Sequence, residues 1–142
     1  MEEPVFNWLA QGAAAVSALV VGFVWYHEKV FGTAWMGSIG KTKENLGKGN
    51  MPLIFGLTLL FAFMISTVLF GLLNSSEEHR AAEFLTFKHG ALHGALLGVF
   101  AALPIIGTNA LFEQRGWKYI AINTGYWIVT LAIMGGIISA WR

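Results

Sequence analysis

Four long apolar stretches, residues 5–26, 51–73, 89–106 and 117–141, constrain this chain more than any motif does. A membrane-crossing helix needs about 20 mainly apolar residues, because the hydrocarbon core is roughly 30 Å thick. All four stretches are read as spans on this criterion. The third is the shortest, and the sequence past Pro104 lets it continue as a kinked helix through Phe112. In lipid a backbone must satisfy its own N–H and C=O groups, so each span is predicted to be helical. The predicted fold is an all-α integral membrane four-helix bundle, with residues 1–142 forming one four-span domain. With 56% hydrophobic and 12% charged residues, the chain carries about half the charge of a typical soluble domain, too little to solvate its whole surface.

Local signals place the span ends. Pro52 suits the first turn of the second helix, where its missing N–H costs nothing. Asn74, Ser75 and Ser76 close that helix, and they also read as a glycosylation sequon. The first span has an acidic start, Glu2 and Glu3, and runs on to Trp25 and Tyr26, unlike a cleavable signal peptide. Trp8, Phe84, Phe87 and Trp141 fall near one membrane face, and Trp25, Tyr26, Trp35, Trp117 and Tyr119 near the other, as interfacial belts do. Trp127 lies mid-span.

Basic residues set the orientation. The first and third loops hold six: Lys29, Lys41, Lys43, Lys48, Arg115 and Lys118. The termini and second loop hold three: Arg80, Lys88 and Arg142. This bias predicts a multi-pass protein of the cell (inner) membrane with both termini on the non-cytoplasmic side. The first loop, residues 27–50, begins amphipathic and aromatic, so it is expected to lie in the interface. Its Gly-rich end is polar.

Small residues recur every four positions. Ala10, Ala14, Ala18 and Gly22 make one stripe; Gly90, Gly94, Gly98 and Ala102 make a second; Ala132, Gly136 and Ala140 make a shorter third. Helices in lipid associate by close van der Waals packing, which small residues allow. These stripes predict contact seams, within the chain or between copies, and favour a homo-oligomer.

His89 and His93 stand four apart, on one helix face, so both imidazoles can reach one metal ion. Two ligands do not close a coordination shell. His79, or Glu77, Glu78 or Glu83, is a candidate third. The positive end of the helix dipole opposes imidazolium at His89. The expectation from sequence is that no cofactor or metal is bound tightly. A second polar group consists of Asn109, Glu113, Asn123 and Tyr126, read as a structural network tying the third helix to the fourth, or as the lining of a small pocket.

Several classes are disfavoured. The net charge of +1 names no nucleic-acid partner. The chain has no cysteine and no aspartate, which removes disulfides, thiolate ligands and thiol nucleophiles. No acidic residue lies within a span, whereas ion-coupled transporters usually carry one.

The segments "GFVWYHEKVFGTAWM" and "LFEQRGWKYIAINTGYWIVTLAIMGG" carry a resemblance. The shared features are Trp25-Tyr26, Phe31-Gly32 with Trp35-Met36, Leu111-Phe112-Glu113, and Asn123 with Gly125-Tyr126-Trp127. On these residues the chain resembles the small four-span bacterial membrane proteins of Domain of Unknown Function family seventeen-sixty-one. The resemblance implies a membrane fold and no particular activity. The function expected from sequence is therefore non-catalytic: a scaffold or accessory subunit that packs through its small-residue seams and self-associates. A transport module lined by His93 or Asn123 is the alternative, and a His-based metal or haem site a further one.

Overall fold

The computed structural model describes residues 3–141. Glu2 and Arg142, used above for the start of the first span and for the charge bias, lie outside the described residues. In chain order the elements are α1 (Trp8–Trp25), a π turn (Glu28–Gly32), α2 (Thr33–Ser38), α3 (Met51–Leu73), a 3-10 turn (Ala82–Phe84), α4 (Phe87–Leu97), a π segment (Gly98–Ala102), α5 (Leu103–Phe112) and α6 (Trp117–Ala140). No strand occurs among the described residues. Four helices are long and apolar enough to cross a membrane: Trp8–Trp25, Met51–Leu73, Phe87–Phe112 and Trp117–Ala140. The molecule is an all-helical four-helix membrane bundle.

Capping side chains start three of the helices. Asn7 Oδ1 accepts from the Leu9 and Ala10 N–H groups, Asn50 from Leu53, and Thr86 from His89. Each satisfies a donor that the first helical turn leaves open. The third span does continue through Phe112. Pro104 lacks an N–H, and its ring crowds the carbonyl one turn earlier. The helix accommodates this by widening to π geometry over Gly98–Ala102, where the Leu103 N–H bonds back to the Gly98 carbonyl.

The packing is uneven. α6 is the hub and touches each of the other spans. Of an 18-residue apolar stretch in each span, 44% is buried in α6, against 28% in α1, 17% in α3 and 11% in the third span. Its inward residues Leu131, Met134 and Ile138 meet Ala14, Ala15 and Ala18 of α1 and Ala62, Leu69 and Leu73 of α3 in one core cluster. α3 leans mainly on α1 and barely meets α4. The bundle is therefore open along the α3–α4 side. Outer faces of α3 (Leu60, Phe61, Met64) and of the third span (Phe100, Ile105, Phe112) remain exposed and apolar, as lipid-facing surfaces are.

The first loop is partly helical. Gly32 is buried where its N–H closes the π turn on the His27 carbonyl. A side chain there would overlap the backbone of Tyr26 and His27, so the turn requires glycine. α2 then lays Trp35 against Tyr26, with ring centroids 5.6 Å apart. Lys43 returns over the turn to Glu28, N···O 3.0 Å.

Candidate functional site

The small-residue stripes have an internal use. Gly90, Gly94 and Gly98 are buried and face α6. An added Cβ at Gly90 would overlap the Gly135 carbonyl, at Gly94 the Leu131 carbonyl, and at Gly98 the Ile128 backbone. Gly135 meets the Gly90 carbonyl in return. Two helix backbones thus touch over two turns. The α6 face in this contact is Ile128, Leu131, Gly135 and Ser139. The stripe Ala132, Gly136 and Ala140 is offset from it: Gly136 lies under the Phe87 ring and Ala140 is exposed. On α1, Ala10, Ala14 and Ala18 are buried, and the position of a Gly22 side chain lies 3.7 Å from the Tyr126 ring. Ala102 is half-buried.

The polar residues join α1 to α6. The Tyr26 hydroxyl donates to Asn123 Oδ1. Asn123 Nδ2 donates to the Tyr119 carbonyl at 3.1 Å, within its own helix. The Trp25 indole N–H donates to the Ile122 carbonyl at 2.9 Å, with Gly125 lying beneath its ring. The Tyr126 hydroxyl donates to the Ala18 carbonyl at 2.8 Å. Asn109 and Glu113 are exposed, on α5 and at its end, while the bonds of Asn123 and Tyr126 run to α1 and along α6. Tyr26, the partner of Asn123, was expected from sequence as a belt aromatic and as part of the family likeness, and not as a member of the polar group.

A cleft of about 390 Å³ opens beside this cluster, between α1, α3 and α6, lined among others by Gly22, Phe23, Tyr26, Phe55, Tyr126 and Trp127. Both tyrosine hydroxyls are engaged elsewhere, so the cleft presents mostly carbon. A second, of about 310 Å³, lies between α3 and the third span, with Trp127 again in its wall.

The histidines gain a third member. His79, in the turn after α3, meets His89 and His93 of α4; all three are half-buried, and one ring nitrogen from each lies within 4.8 Å of the others. Phe84 covers the His89 ring at 4.9 Å between centroids. In this cluster and in the Tyr26–Asn123 cluster, polar side chains from separate elements of the bundle converge.

The family model described as "protein of unknown function (DUF1761)" matches residues 9–139, nearly the whole chain. The chain belongs to this family. No curated protein and no solved structure matches it. The residues on which the DUF1761 likeness was read fall largely in one place. Trp25, Tyr26, Phe31, Gly32 and Trp35 fall in the α1 end, its following turn and α2, and Asn123, Gly125 and Tyr126 in the facing stretch of α6. Trp25 packs on Phe31 at 4.5 Å, and Tyr26 on Tyr126 at 5.4 Å. These DUF1761 residues make a knot between the first and last spans.

Proposed function

We propose that the protein is a non-catalytic accessory or scaffold protein of the cell's inner membrane, acting through what packs against it. One observation carries this reading: the family-likeness residues Trp25, Tyr26, Asn123 and Tyr126 use their polar groups to tie the bundle together, while Glu113 stays exposed at the end of α5. The hydroxyls of Tyr26 and Tyr126, the amide of Asn123 and the indole N–H of Trp25 each hold a bond across or along the bundle. A transport path lined by Asn123 fits poorly with an amide so engaged.

Self-association in this reading runs over the exposed apolar faces of α3 and the third span, because Gly90, Gly94 and Gly98 are already occupied by α6. The bias of lysine and arginine toward the first and third loops supports an orientation with both termini outside. The test is reconstitution at rising protein density, with oligomer size counted by single-molecule photobleaching and solute flux measured in liposomes. Assemblies larger than one chain, with flux no greater than in empty liposomes, are expected. A monomer at every density, or flux above background, overturns the reading.

A further inference from the structure

His79, His89 and His93 come from two elements that the chain need not have brought together. His89 and His93 occupy one face of α4, a turn apart, and His79 reaches them from the second loop. Ring centroids are 4.5 Å apart for His89–His93, 5.1 Å for His79–His93 and 5.6 Å for His79–His89. We propose that these three histidines form a site for a borderline transition-metal ion of the zinc class, which fastens the second loop to the third span.

The donor set points to that class. Imidazole nitrogens suit zinc, copper and nickel, whereas magnesium and calcium take oxygen ligands. The geometry is close to what such an ion needs. Zinc–nitrogen bonds of about 2.0–2.1 Å place tetrahedral ligand atoms roughly 3.4 Å apart. A triangle with sides of 4.8 Å contracts to that when each nitrogen moves inward by about 0.8 Å. Rotation of an imidazole about its outer side-chain bond, with a small shift of the loop, covers this distance.

Surrounding groups orient the ligands. The Ser75 and Ser76 hydroxyls lie 3.3 and 3.1 Å from His79 Nδ1, and the His79 backbone N–H donates to Ser76 Oγ at 3.2 Å. With Nδ1 engaged, Nε2 is the ligand atom. Hydroxyl or carbonyl partners of this kind fix the ring and tautomer of metal-bound histidines. The Thr86 cap places His89 in the first turn of α4, and Phe84 covers its ring. Three protein ligands leave one position for water or for a carboxylate, and Glu77, Glu78 and Glu83 lie on the same loop.

The experiment uses the full chain, purified in mild detergent and stripped with chelator. Zinc is titrated calorimetrically, and cobalt(II) is added separately for its absorption bands. One equivalent per chain is expected, with the intense visible bands of four-coordinate cobalt. His79→Ala, His89→Ala and His93→Ala should each weaken zinc binding at least tenfold, while His27→Ala, in the first loop, leaves it unchanged. A measurement on the wild type alone guards against misfolded variants. Diethyl pyrocarbonate modifies accessible imidazoles, and zinc should protect His79, His89 and His93 while His27 continues to react. Binding well below one equivalent, binding that survives the three substitutions combined, or carbethoxylation unaltered by zinc overturns the proposal.

Discussion

Gly94 of α4 lies so close to Leu131 of α6 that a single methyl group at position 94 would overlap the Leu131 carbonyl. The obstacle is backbone, which cannot swing aside as a side chain can. Gly94→Leu should therefore separate α4 from α6 and destabilise the fold by more than the roughly 1–3 kcal/mol of an ordinary overpacked core. Leu97→Ala is the comparison. Leu97 is only partly buried against the core, so its loss should cost about 2 kcal/mol, the low end for leucine truncation. Thermal unfolding in detergent orders the two, and a Gly94→Leu protein that melts like wild type contradicts the seam.

The knot between α1 and α6 predicts a graded pair. Tyr126→Phe removes the hydroxyl that bonds the Ala18 carbonyl, an acceptor that keeps its own helical bond, and should cost about 0.6–1 kcal/mol. Asn123→Leu takes the acceptor from the Tyr26 hydroxyl, which is left half-buried without it, and should cost about 1–3 kcal/mol. Equal melting temperatures for the two variants would count against this account of the knot.

Orientation is read by impermeant thiol labelling of intact cells. A cysteine replacing Asn45 should stay unlabelled and one replacing Glu77 should react, since the first and third loops together carry six of the nine basic residues. Labelling at 45 and not at 77 reverses the topology.

The first loop has a pH-dependent fastening. A hydrogen bond from Lys43, and then its charge, hold the Glu28 carboxyl below its ordinary value of 4.5. A group depressed in the folded state contributes stability above its unfolded pKa and loses it as pH falls through the folded one. The Lys43 contact should thus persist at neutral pH and release only below 4.5. A spin label at a cysteine replacing Gly47 should gain mobility on acidification in the parent chain. In Glu28→Gln it should be mobile at every pH. Mobility that is the same at pH 7 and pH 3 in the parent chain refutes this fastening.

The spans were legible because hydropathy is a local property, and a long apolar run in lipid has few folds open to it. The continuation past Pro104 could be read, although the π geometry that absorbs it could not. Seams were legible as spacing and not as pairings. The α4 stripe lies against α6, where the facing row centres on Gly135, one residue from the Gly136 that a four-residue period selects. Small residues are common on α6, and only the crossing of two helices decides which row is used. His79 lies ten residues before His89 in a loop without periodicity, so nothing in the spacing brings it to the pair. Tyr26 was ambiguous for a similar reason: an aromatic at a span end serves a lipid headgroup or a neighbouring helix equally well.

The position of α6 as hub has a consequence for biogenesis. Ribosomes deliver spans in order, and the helix that touches all the others is the last of the four to emerge. Until then α1 has only α3 for company, and Gly90, Gly94 and Gly98 of the third span face lipid. The early spans therefore wait in the bilayer as a loose hairpin and a lone helix. Insertion of the final span closes all its interfaces together, so a ribosome stalled before residue 117 should leave a membrane-integrated but unassembled chain, exposed to quality-control proteases.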